Sequence, residues 1–105
     1  MVFKMDTFGD VYLFGDKCNV VKKILITAIK NEKNDLVIVD FANIKQITPT
    51  SANTIFGNLL VEAGISKFKE KVRFRNIDDE VYKVIKYAVN SRLMLMSENG
   101  IELKK

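Results

Sequence analysis

The chain contains no histidine and no tryptophan, a single cysteine and a single proline among its 105 residues. Without histidine it lacks the side chain that most often moves protons near neutral pH and most often binds transition metals. A His-dependent catalytic triad is excluded outright. Zinc would have to rely on Cys18 with carboxylates, a poor donor set. With Cys18 alone, no internal disulfide can form, which fits a reducing compartment. One proline and five glycines are too few for a flexible tether or a low-complexity segment. No apolar run reaches the roughly 18 residues that span a bilayer, and the opening MVFKMDTFGD has no apolar core of a secretory signal. The expectation is one cytoplasmic domain over residues 1–105, with no membrane and no cofactor.

Charge is unevenly placed. Residues 1–66 set seven lysines against seven carboxylates, whereas residues 67–105 hold ten basic and six acidic side chains, so the whole net charge of +4 lies there. Lys67, Lys69, Lys71, Arg73 and Arg75 alternate with other residue types. On an extended segment Lys69, Lys71, Arg73 and Arg75 would share one face and could bind nucleic acid or an acidic partner; otherwise they form a solvated edge.

Periodicity supplies the fold class. Val11-Tyr12-Leu13-Phe14 is rich in β-forming types and predicts a strand, with a hairpin to residues 2–7 across Phe8-Gly9-Asp10. Val20, Val21, Ile24, Leu25, Ala28 and Ile29 predict a helix over 16–31, capped by Asp16. The non-alternating Leu36-Val37-Ile38-Val39 predicts a buried strand over 36–41. Thr48 as a cap and Pro49 at the first helical position open a second helix over 49–63, stopped by Gly64. A strand over 71–76 places Val72 and Phe74 opposite Arg73 and Arg75. Asp78 caps a third helix whose buried side is Val81, Val84, Ile85, Ala88 and Val89, and whose pattern runs through Arg92 to Met96. Asn99-Gly100 signals a turn, and Ile101-Glu102-Leu103 an edge strand. Phe41, Phe56 and Phe68 are expected in the core. So is the cluster Leu93-Met94-Leu95-Met96, with a homodimer contact as its alternative. Alternating strands and helices imply an α/β fold with a mixed, mostly parallel sheet and helices mainly on one face.

Three segments resemble the STAS domains, the fold of bacterial anti-sigma-factor antagonists, and in particular the compact STAS-like branch described as a domain of unknown function. Val37-Ile38-Val39-Asp40-Phe41-Ala42-Asn43-Ile44 is similar to the family's apolar strand ending in Asp, a small turn and a β-branched residue. Ile47-Thr48-Pro49-Thr50-Ser51-Ala52 resembles the loop entering its key helix, with Phe56-Gly57 at that helix's Phe-Gly position. Arg75-Asn76-Ile77 before an acidic helix start resembles its last strand–helix step. The resemblance spans about residues 10–92. It implies a non-enzymatic regulatory module that binds a protein partner, for antagonists an ATP-binding kinase of the anti-sigma type, and is released by phosphorylation in this loop. The matching acceptor is Thr50, with Ser51 as alternative, and the implied partner surface is Thr48, Pro49, Asn53, Thr54 and Asn58. The antagonists' Asp-Ser-Ser/Thr-Gly loop is not reproduced, since Thr48 stands at the Asp and Ser51 at the Gly.

Two plainer roles compete with these. The Thr48 hydroxyl can cap the helix, worth about 1 kcal/mol, while Thr50 faces solvent. Asp40, at a strand end where α/β sites gather, has no second carboxylate nearby in sequence, and a hydrogen-bonded turn carboxylate is expected. Gly57 lacks a surrounding phosphate loop and is expected to serve close helix packing.

Overall fold

In the computed structural model, which describes residues 1–96 and 100–104, three short strands form a parallel sheet in the order β1-β2-β3: β1 (Val2–Lys4), β2 (Val37–Asp40) and β3 (Val72–Arg75). The rungs are Val2–Ile38–Arg73, Phe3–Val39–Phe74 and Lys4–Asp40–Arg75. Because successive side chains alternate in direction, Phe3, Val37, Val39, Val72 and Phe74 point one way and are buried. The opposite row, with Val2, Lys4 and Arg75 exposed, stays open. Helices cover the inward row, as expected for an α/β domain with helices on one face.

Parallel pairing forces the chain to leave the sheet after each strand, and this overturns the expected hairpin. Residues Met5–Phe8 form a 3₁₀ turn and Val11–Phe14 a single helical turn, α1. Gly9 and Gly15, at φ 73° and 78°, bracket α1. The buried Tyr12 donates its hydroxyl to the Met5 carbonyl at 2.7 Å, and burial pushes the phenol well above its ordinary range. One tertiary anchor has outweighed the β propensity of Val-Tyr-Leu-Phe.

Helix α2 (Cys18–Lys30) buries Cys18, Val21, Leu25, Ala28 and Ile29, while Val20 lies outside at 44% exposure. Asp16 does not cap it; Lys17, in the left-handed region, holds that position with no side-chain cap bond. The last carbonyls of α2 are met from outside: Asn34 Nδ2 donates to Ala28 O at 3.0 Å and Lys71 Nζ to Ile29 O at 2.9 Å.

The second expected helix is continuous in sequence but not in winding. It comprises α3 (Pro49–Ala52), a π segment (Asn53–Gly57) and α4 (Asn58–Ala63). Its buried pairs Ser51-Ala52, Ile55-Phe56 and Leu59-Leu60 recur every four residues, slower than the 3.6 per turn of an α-helix. The wider π turn keeps all three pairs on one face. A π turn strands one carbonyl, and Asn58 Nδ2 donates to Thr54 O at 3.0 Å. Gly64, at φ 93° and ψ 144°, ends α4 in a conformation open essentially to glycine alone.

Residues Ile65–Lys71 form α5, a helix for which the sequence reading has no counterpart and which takes Lys69 and Lys71 off any extended segment. Ile65, Phe68 and Val72 are spaced as on a helix, and Phe68 is buried. Helix α6 (Asp79–Leu95) follows β3, with Asp78 at its N-cap position but no side-chain cap bond. Leu93 is core, whereas Met94 and Leu95 stand 73% and 83% exposed, so the methionine-rich cluster divides between core and surface. The tail at 101–104 is irregular, not an edge strand, although Lys104 O accepts the Phe74 amide at 2.7 Å. Of the expected Asn99-Gly100 turn, Asn99 lies outside the described residues. Phe41, Phe56 and Phe74 meet at the centre, with ring centroids 5.4–6.0 Å apart.

Candidate functional site

The start of the second helix separates two hydroxyl roles. Thr48 is the cap: its Oγ1 accepts the Ser51 amide at 3.1 Å and lies 2.9 Å from Ser51 Oγ as donor. The Thr48 amide donates to Tyr12 O at 3.3 Å, which ties the loop to α1. Ser51, expected as the alternative acceptor, is buried at 1% exposure with its hydroxyl facing Thr48. An enzyme approaching the folded chain therefore cannot reach it. Pro49 and Thr50 are exposed on the first turn. With the cap already made by Thr48, a group added to Thr50 would not break it, and a negative one would sit at the favourable end of the helix dipole.

Asn53, Thr54 and Asn58 do not form a freely exposed face. Arg92 Nη1 of α6 donates to Asn53 Oδ1 at 3.2 Å and to Asn58 Oδ1 at 2.6 Å. Asn53 is exposed; Thr54 and Asn58 are half-buried. Gly57 permits this clasp, because a β-carbon there would collide with Asn53 Oδ1 and press on the Arg92 stem, 3.1 Å from its Cγ. Close helix packing is thus the reason for the glycine.

Beside Pro49 and Asn53 runs a mostly apolar groove of about 430 Å³ whose other wall is Lys83, Val84, Tyr87, Ala88 and Ser91 of α6. It adjoins a second depression of about 290 Å³ bounded by Leu13, Lys45, Gln46, Thr48 and Glu80. Tyr87 is 75% exposed. The sequence reading missed this wall. Its signal was Tyr87 standing off the Val81-Val84-Ile85-Ala88-Val89 stripe, an aromatic on the solvent side of an amphipathic helix. Val84, expected on the buried side, is half-buried and lines the groove.

The basic segment is dispersed. Lys69 and Lys71 lie on α5 and Arg73 and Arg75 on β3, so the four do not share one extended face. Lys71 closes the end of α2, reaching Asn31 O at 3.3 Å in addition to Ile29 O. Arg73 Nη1 donates to Lys69 O and Val72 O at the end of α5, and Arg75 Nη2 to Asp40 Oδ2 at 2.9 Å. Lys69 is exposed. Cations at helix C-termini are favourable to the fold. Lys71→Met is therefore expected to lower stability by about 1 kcal/mol in urea unfolding, and an unchanged midpoint would remove this structural role.

Asp40 is the hydrogen-bonded turn carboxylate expected. Its Oδ1 accepts the Ala42 amide at 2.9 Å and Asn76 Nδ2 at 3.1 Å, and its Oδ2 faces Arg75. The Ala42 amide first, then Arg75 and Asn76, hold its carboxyl at about 2. Three protein donors thus hold it, of the about four that a carboxylate can accept. Among the described residues, no group of three or more Cys, Asp or Glu side chains is placed to hold a metal, and no helix is long and apolar enough to cross a membrane.

The family described as a STAS-like domain of unknown function matches residues 19–82, more than half of the chain. No curated protein and no solved structure matches.

Proposed function

The chain belongs to the STAS-like domain family, and from that premise we propose that it is a non-enzymatic protein-interaction module of bacterial signalling, similar in role to the anti-sigma-factor antagonists. The partner surface is the exposed turn at Pro49 and Thr50, together with the groove between Asn53 and Tyr87. The partner is a protein, by the family resemblance an ATP-binding kinase of the anti-sigma type, and Thr50 is the switch.

The observation that carries this reading is the division of labour between neighbouring hydroxyls. Thr48 caps the helix and Ser51 is buried with it, which leaves Thr50 as the exposed hydroxyl of the turn. Phosphate on Thr50 would add about −1.5 to −2 charges beside an apolar groove without disturbing the cap. The fold would persist while the surface presented to a partner gains negative charge. The nucleic-acid alternative has less support, since Lys71, Arg73 and Arg75 are engaged with carbonyls and Asp40.

The test uses the ATP-binding protein that co-purifies with the chain from its host, with phosphopeptide analysis of residues 46–67. Thr50→Glu is expected to weaken that complex by at least about tenfold in titration calorimetry, and Thr50→Ala to leave it unchanged. Equal affinity for both variants would sink the switch, and nucleic acid in place of a protein would sink the module.

A further inference from the structure

Among the described residues, no helix lies over the outward face of the sheet. Sheets made only of parallel strands are normally covered on both faces, yet here Val2, Lys4 and Arg75 are exposed and Ile38 and Arg73 half-buried, with Asp40 alone buried beneath its own partners. The rungs set Val2 and Ile38 beside Arg73, and Lys4 and Asp40 beside Arg75. A depression of about 450 Å³ lies along Ile38, Arg73, Arg75 and Asn76. Its charge is one-sided. Asp40 is the sole carboxylate among these six side chains, and it is spent on Arg75, Asn76 and the Ala42 amide. The surplus is Lys4 and Arg73, at opposite corners of the face. The apolar positions are Val2 on the edge strand and Ile38 on the central one. Arg73, though it donates to the Lys69 and Val72 carbonyls, has no carboxylate to neutralise it on this face.

We propose that this face docks an acidic amphipathic helix of a partner protein. The dimensions fit one helix. The outer strands are about 10 Å apart and each is about 10–13 Å long, while a helix is about 10–12 Å across. The apolar stripe of such a helix would cover Val2 and Ile38, and its carboxylates would meet Lys4 and Arg73. A second copy of this chain is the poorer occupant, because a two-fold contact sets the same positive surplus against itself. Nucleic acid is poorer as well, because Val2 and Ile38 beside the two cations offer phosphates nothing. The helix bearing Thr50 packs on the other side of the sheet, where Phe56 meets Phe74 at 5.4 Å. This docking therefore goes beyond the switch and does not depend on it.

A photo-crosslinking phenylalanine placed at Val2 of the full chain in its native host tests the proposal, with the exposed Glu32 as control position. The expected result is an adduct specific to position 2, in which the crosslinked peptide belongs to another protein and carries apolar residues at helical spacing with Asp or Glu between them. Adduct yield should fall by about tenfold or more with Lys4→Glu and be unchanged by Lys23→Glu, the same charge reversal at an exposed position of α2. Lys4 is exposed at the sheet edge, so its variant folds even if Arg73→Glu, which removes the contacts to the end of α5, does not. No adduct specific to position 2, an adduct with nucleic acid or with the chain itself, a crosslinked segment without acidic residues, or indifference to Lys4→Glu would each overturn it.

Discussion

Phe56→Ala will cost the fold about 3–5 kcal/mol, close to the whole stability of many small domains, which is about 5–15 kcal/mol. Phe56 is fully buried. Its ring stands edge-on to Phe74 and tilted against Phe41, at 5.4 and 6.0 Å. It is the contact by which the π segment grips the ends of β2 and β3. Truncation leaves a void lined by two aromatic faces held by strands, which cannot collapse to fill it. The loss of transfer free energy is therefore joined by a cavity term. Urea unfolding followed by far-UV circular dichroism should show a midpoint far below that of the parent, whereas Phe56→Leu should cost clearly less. A loss below about 1 kcal/mol would mean that the three rings do not form the centre of the core.

The second large effect is expected at Asp40. Asp40→Ala leaves the Ala42 amide and the Asn76 side chain without their acceptor and Arg75 without its counter-charge, at a cost of about 2–4 kcal/mol. Arg75 is half exposed and regains water, which keeps the figure toward the lower end. The carboxyl is held at about 2 in the folded chain, below its ordinary 3.8. A folded value lower than the unfolded one means that the unfolded chain binds the proton first. The stabilisation is thus fully present above about pH 4 and fades as pH falls toward about 2. Unfolding midpoints measured across that interval should drop steeply for the parent and more shallowly for Asp40→Asn. Parallel slopes would show that the acid sensitivity lies elsewhere.

Much of this architecture is legible in the sequence, and where it is not the reasons are physical. β2 and α6 follow directly from their apolar patterns, and Thr48-Pro49 marks the helix start because a cap hydroxyl and an N1 proline act within one turn. Val11–Phe14 misleads because its local preference is overruled by the parallel pairing of β1 with β2 and by the hydrogen bond from the Tyr12 hydroxyl to Met5 O, seven residues back. Lys71 and Arg73 mislead because their partners are main-chain carbonyls, which no residue type announces. Arg75 and Asn76 reach Asp40 across 35 and 36 positions, a distance at which spacing carries no signal. At the candidate site, the exposure of Thr50 could be anticipated and the burial of Ser51 could not, since that depends on how α3 seats against its neighbours. The π segment did leave a trace: apolar pairs four residues apart are out of step with an α-helix.

That mismatch bears on how the chain can vary in length. A π turn is an α-helix carrying one residue too many. Removing Thr54 would bring the apolar pairs to intervals of three and four, the spacing of an ordinary helix, and the carbonyl now met by Asn58 would disappear with it. Both ends of the helix would keep their faces. Deletion of Thr54, which would misalign most helices, is therefore expected to leave the Pro49-Thr50 turn on the same core.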